Sequence, residues 1–115
     1  YLLTVIGRKT HVSRTTPVSV VIDGVNRYLV GPFGNVGWVR NAREAGVVTL
    51  RRGRGSDRFT LTPIQGAEAG PILKKYLELE PITRRYFDVT VDAPAEAFAA
   101  EVATHPVFRL TAARS

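Results

Sequence analysis

Through the first half of the chain, apolar and β-branched residues come in short runs separated by polar or glycine-containing turns. Tyr1–Ile6, Thr16–Ile22 and Arg27–Gly31 are rich in Val, Ile, Leu, Tyr and Thr and are bounded by turn residues, which predicts strands. Asp23-Gly24 marks a hairpin turn between the second and third, with Asn26 at its edge. Val47–Arg52 and Asp57–Ile64 flank Gly53-Arg54-Gly55-Ser56 as a second hairpin, and Val107–Leu110 is a sixth strand.

Between these runs the period changes. From 36 to 45, Val36, Trp38, Val39 and Ala42 recur at helical spacing among Arg40, Asn41, Arg43 and Glu44, with Asn35 as N-cap and Gly46 as terminator. Ala67–Leu79 predicts a second helix whose regular part starts at Pro71, in its first turn, and Pro81 closes it. Ile82–Asp88 reads either as a helical turn or as an irregular lid. Ala93–Ala103 is an Ala-rich helix with Asp92 as cap and Pro94 in its first turn, and Thr111–Ser115 is a frayed tail. Six strands with helices between and after them predict an α+β domain on a small antiparallel barrel. A Rossmann fold is disfavoured, because strands and helices do not alternate regularly and no Gly-x-Gly-x-x-Gly follows the first strand.

Composition narrows the chemistry. The 115 residues suit a single domain, 1–115, and 44% hydrophobic with 23% charged residues is ordinary for a globular protein without a membrane-length apolar run. The chain opens at Tyr1, already inside a strand, so a natural N-terminal segment is expected to precede it; no signal peptide is visible. Having no Cys excludes disulfides, thiolate nucleophiles and Cys-ligated metals, and His11 and His105 have no metal-binding spacing. Redox chemistry would therefore need an organic cofactor. The net charge of +6 favours an acidic partner, whether nucleic acid, anionic lipid or a polyanionic small molecule.

Two segments concentrate candidate chemistry. Gly7-Arg8-Lys9-Thr10-His11-Val12-Ser13-Arg14-Thr15-Thr16-Pro17 sets three cations and several hydroxyls in a turn between strands, a way of presenting charge and backbone N–H groups to a phosphate or carboxylate. Taken alone, such a turn is more often a solvated connection. Pro32-Phe33-Gly34-Asn35-Val36-Gly37-Trp38-Val39-Arg40-Asn41 begins where a strand ends and runs into the first helix. Arg51, Arg52, Arg54 and Arg58 make the second hairpin basic, but Phe59 is the one aromatic beside them, so a solvated edge is favoured over a nucleic-acid groove.

In order and spacing, Leu3–Thr10, Arg14–Val18, Tyr28–Val30 and Trp38–Arg43 resemble the deazaflavin-dependent nitroreductase family, whose members bind coenzyme F-420 in a split β-barrel. Tyr86–Val89 and His105–Phe108 are similar to one branch of it. The resemblance implies an F-420-dependent reductase passing a hydride to a quinone, enone or nitro compound. It implies that Arg8, Lys9 and Arg14 meet the coenzyme's phosphate and acidic tail, with Thr16 and Pro17 at the turn-to-strand junction. Pro32, Phe33 and Gly34 would lie against the ring system, although the family's commoner version here is Ala-Ser/Asn-Gly-Gly with a longer connection to the tryptophan. Asn41 ranks as a coenzyme contact and Trp38 as cavity wall or core. Tyr76, Tyr86 and Phe87 could bound a substrate pocket, Tyr86 being the one candidate proton donor. A cytoplasmic protein with peripheral membrane contact through an upstream segment is implied, and exposed edge strands leave a homodimer open. The rivals are a split barrel holding FMN or haem, and a non-enzymatic module carrying lipid, the coenzyme as cargo, or nucleic acid.

Overall fold

The computed structural model describes residues 1–34 and 36–113, and in them the chain forms seven strands, one more than the hydrophobic pattern predicts. These are β1 (Leu2–Ile6), β2 (Ser13–Pro17), β3 (Val20–Asp23), β4 (Asn26–Val30), β5 (Val47–Arg52), β6 (Gly55–Ile64) and β7 (Val107–Ala112). Helix α1 (Gly37–Ala45) lies between β4 and β5. After β6 come α2 (Gly66–Leu79), a 3-10 segment at Pro81–Tyr86, and α3 (Ala95–Ala99), which runs on as 3-10 through Ala103.

The strands pair antiparallel in the order β2-β1-β5-β6-β7-β4-β3. The two edges, β2 and β3, are consecutive in the chain and joined only by Val18 and Ser19. At 3.8 Å per Cα step, Pro17 and Val20 are no more than about 11 Å apart. A sheet of seven strands can satisfy that only by curling until its edges approach, so the architecture is α+β on a split antiparallel barrel.

The extra strand corrects the expected Thr16–Ile22. After Pro17 the chain leaves its partner β1 and restarts at Val20 against β4. The Val18 N–H makes the last bond to the β1 side, donating to the Tyr1 carbonyl at 2.9 Å. The last strand extends past Leu110, because Thr111 and Ala112 pair with Thr60 and Phe59; of the expected frayed tail, Arg114 and Ser115 lie outside the described residues.

The helices differ from expectation at their ends. α1 starts with Val36 in the cap position, while Asn35, the expected cap, lies outside the described residues; Gly46 ends the helix in the left-handed conformation as expected. α2 is regular from Gly66, with Pro71 inside it rather than at its start. The N–H that Pro71 lacks would have met the Ala67 carbonyl, and both residues are exposed to solvent. Gly70 lets α2 approach α3: a Cβ there would fall 2.5 Å from the Ala95 carbonyl oxygen. Pro94, not Asp92, caps α3, and residues 81–86 form the helical turn left open by the sequence.

Period-two alternation sorts side chains between two cores. Leu3, Val5, Leu29, Val48, Leu50 and Phe108 fill the barrel interior, where Val39 and Ala42 of α1 join them. Tyr28, Val30 and Val107 point the other way, against Ile72, Leu73 and Tyr76 of α2 and Phe98 of α3. α1 therefore plugs the barrel while α2 and α3 cover its outer face.

Candidate functional site

Where the barrel splits, a cavity of about 600 Å3 opens between the β2–β3 link, the end of β4, the start of α1 and the end of α2. Thr16, Pro17, Pro32, Phe33 and Trp38 all line it. Residues up to 22 positions apart in the chain thus meet because the link joining the sheet's edges passes beside the loop that follows β4. Val36 and Ile82 add apolar surface. Trp38 serves the wall and the barrel core together, packing also against the interior cluster. Gly34 stands just behind this wall at φ 83°, where a Cβ would come 3.1 Å from the Thr104 carbonyl oxygen.

The cations are placed by register. In the β1–β2 ladder Thr16 faces Leu3 and Arg14 faces Val5. Directly opposed residues share a face, and Leu3 and Val5 are buried in the barrel interior, so Arg14 and Thr16 both belong to the side that α1 packs on. Arg14 lies about 7 Å along the strand from Thr16. Thr15 belongs to the other face, where its hydroxyl meets that of Thr4 at 2.9 Å.

Arg8 and Asn41 are brought together, though 33 residues apart. The Asn41 Oδ1 accepts from the Arg8 backbone N–H at 3.1 Å and from its guanidinium at 2.8 Å. Asn41 is buried, so this pair lashes the β1–β2 turn to α1; neither residue lines the cavity. The turn is closed by Gly7 N–H to Val12 O and His11 N–H to Gly7 O, with His11 at φ 59°. Lys9 is exposed on it.

The polar lining of the cavity was missed by sequence reasoning. The Ser19 hydroxyl donates to the Glu80 carboxylate, and the Thr83 hydroxyl donates to the Glu80 carbonyl at 2.8 Å. All three residues line the cavity. Nothing local distinguishes Glu80, which reads as an acid at a helix end before Pro81. Tyr76 lies beside it, and burial followed by the nearby Glu80 carboxylate pushes its hydroxyl up to about 12. The phenol is therefore neutral throughout the physiological range.

Tyr86 sits at the rim rather than in the lining. Its ring meets Phe33 edge-on at 4.9 Å, and its hydroxyl oxygen accepts from Arg85 at 3.1 Å. Phe87 is buried and stacks on His105. The arginine hairpin is exposed at Arg51, Arg52, Arg54 and Arg58, but Phe59 is buried in the barrel, so no ring from it is free to stack on a base. Among the described residues no group of His or carboxylate side chains is placed to hold a metal, and no helix is long and apolar enough to cross a membrane.

Residues 1–92 match the family model described as F420H(2)-dependent quinone reductase. Among solved structures, the chain is similar to one described as an F420-H2 dependent reductase (FDR-A), at TM-score 0.65 and 19% identity over 96% of this chain and 91% of that one. It is similar to a structure described as a domain-swapped dimer, at TM-score 0.67 and 19% identity over 96% and 78% of the two chains. A third, described as an F420 reductase, matches at TM-score 0.58 and 15% identity over 98% and 85%. No relative matches among curated proteins. At these identities the structural matches show the fold.

Proposed function

This chain belongs to the F420H(2)-dependent quinone reductase family, and from that membership we propose that it passes a hydride from reduced coenzyme F-420 to a quinone, enone or nitro compound held in the cavity beside Trp38. It is an oxidoreductase and its coenzyme is F-420. One observation supports the reading of the site: an apolar cavity of about 600 Å3 is lined at the end of β2 by Thr16 and Pro17, and the next residue after Thr16 on the same face of that strand is Arg14, outside the lining. The volume lies within the range of small-molecule sites, and a planar ring finds apolar walls in Phe33, Val36 and Trp38. An anionic tail leaving the ring along β2 meets Arg14 and then the turn carrying Arg8 and Lys9, as phosphate and carboxylate groups require.

When bound, the reduced deazaflavin supplies the hydride from its C5. The chain's own residues do the rest. Lys9 and Arg14 hold the tail, Arg8 keeps its turn on α1, and Thr16 and Pro17 border the junction of tail and ring. Pro32 and Phe33, with Gly34 behind them, wall the ring and keep water from it. Tyr86, held by Arg85 at the rim, is the candidate proton donor once the hydride has arrived. The partners are then small molecules. The exposed edge strand β2 leaves room for a second copy of the chain, and a cytoplasmic protein touching a membrane would meet lipid-soluble quinones.

The test is a titration with F-420 and, in parallel, FMN, followed by Trp38 fluorescence. Lys9→Ala with Arg14→Ala should raise the F-420 Kd about thirtyfold, two exposed charged contacts contributing roughly 1 kcal/mol each. Turnover is then followed as oxidation of the reduced coenzyme by a quinone, an enone and a nitroarene in turn. Tight FMN binding without F-420 binding would overturn the reading.

A further inference from the structure

His105 is buried, and its ring lies nearly parallel to that of Phe87, with centroids 3.9 Å apart and planes at 17°. Its Nδ1 is 2.7 Å from the Pro32 carbonyl oxygen. A carbonyl only accepts, so Nδ1 carries the proton. Two neighbouring contacts repeat the grip: the Gly31 N–H donates to the Pro106 carbonyl at 2.8 Å, and Gly34 fits against the Thr104 carbonyl. Residues 104–106 thus hold the loop after β4 from behind, and they lie outside the segment that matches the family model.

The orientation of one peptide follows. Among the described residues every peptide bond is trans, so the Pro32 C=O and the Phe33 N–H point in opposite directions. With the carbonyl turned toward buried His105, the Phe33 N–H is turned away from it, and no acceptor among the described residues takes it. Pro32 and Phe33 both line the cavity.

We propose that His105 is a positioning residue: its Nδ1–H fixes the Pro32–Phe33 peptide so that the Phe33 N–H stands ready as a hydrogen-bond donor to an acceptor on the ring bound in the cavity. This rests on the coenzyme reading above. A donor held in place before the ligand arrives spares the ligand the cost of ordering it. Because the imidazole acts through the peptide, its effect falls on binding of the ring.

The test has an arm that does not depend on the coenzyme. In the ligand-free protein, 15N shifts of the imidazole report its tautomer. A neutral ring protonated on Nδ1 supports the proposal, and one protonated on Nε2 overturns it. The second arm uses His105→Phe, which keeps an aromatic ring on Phe87 and removes the donor, and His105→Asn, which keeps an N–H near the Nδ1 position. With far-UV circular dichroism unchanged, His105→Phe should weaken F-420 binding about tenfold and His105→Asn no more than about threefold. Equal loss in both, or loss in neither, overturns the proposal. If His105→Phe does not fold, the Phe33 amide resonance of the wild type decides: a downfield shift on titration with F-420 supports the donor role, and its absence removes it. Failure of the wild type to bind F-420 at all would overturn the coenzyme reading, while the tautomer would still be read independently.

Discussion

Asn41→Ala is the substitution whose cost can be worked most directly from the structure. The Asn41 Oδ1 accepts two hydrogen bonds from Arg8, one from the backbone N–H at 3.1 Å and one from the guanidinium at 2.8 Å, in a buried setting on α1. The neutral bond contributes about 1 kcal/mol and the charged one, partly buried, about 1.5 kcal/mol, so the loss should be roughly 2–3 kcal/mol. For a domain of this size that lowers the melting temperature by about 10 °C. Thermal unfolding followed by circular dichroism measures it, and urea titration should show an unchanged m-value. Asn41→Asp keeps the acceptor oxygen and faces a guanidinium, so it should stay within about 1 kcal/mol of the wild type. F-420 affinity should fall in Asn41→Ala although the residue is outside the cavity lining, because the turn bearing Lys9 is no longer fastened to α1. A melting temperature for Asn41→Ala within about 2 °C of wild type, or an Asn41→Asp protein equally destabilised, would refute the reasoning.

Two further outcomes test the cavity floor and the strand register. The Tyr76 hydroxyl is raised from 10.0 to about 12, so the native state favours the neutral phenol. The unfolded chain begins to release that proton near pH 10 while the native one holds it. The contribution is therefore whole below pH 10 and fades as pH rises toward 12, by about 1.4 kcal/mol per unit. Urea midpoints from pH 9 to 12 should fall steeply in the wild type and less steeply in Tyr76→Phe, and equal slopes would remove the assignment. On β2, Arg14→Ala should weaken F-420 binding about fivefold or more, with the loss shrinking as salt is added, whereas Thr15→Ala should leave affinity unchanged. Equal effects from the two, measured by the same fluorescence titration, would place the strand in the wrong register.

What the sequence carried was local. Alternation along Leu2–Ile6 and Asn26–Val30, the Asp23-Gly24 turn and the left-handed end at Gly46 are set by neighbours in the chain and were readable there. The break at Pro17 was not, because its cause is the change of partner from β1 to β4, which depends on the curl of the sheet. The site divides in the same way. Thr16, Pro17, Pro32, Phe33 and Trp38 could be proposed from two stretches of sequence, and the fold gathers them in one cavity. Arg8 and Asn41 could be singled out separately, but nothing in the sequence pairs them. Glu80 reaches Ser19 across 61 positions, a contact that only the packing of α2 beside the β2–β3 link creates.

The cavity wall opposite β2 is held by a closed set of contacts. Phe33 meets Tyr86, Phe87 stacks on His105, and His105 holds the Pro32 carbonyl. Glu101 completes it: buried, its carboxylate takes the Asp88 and Val89 N–H groups at 2.6 and 3.1 Å, and its carbonyl takes the His105 N–H at 2.8 Å. The loop after β4, residues 86–89 and the stretch from Glu101 to His105 are therefore tied to one another by direct contacts. β2, by contrast, is fixed by its own ladder to β1 and needs none of these contacts. Under the proposed function the two sides do different work. The strand side presents Arg14 to the charged tail from a backbone paired to β1. The wall side carries Ile82 and Tyr86 on a 3-10 segment without strand pairing, where a few substitutions can reshape the space offered to a substrate. In this chain, under that reading, substitutions at Ile82 and Tyr86 would change the space for the substrate and leave the strand that carries Arg14 in place.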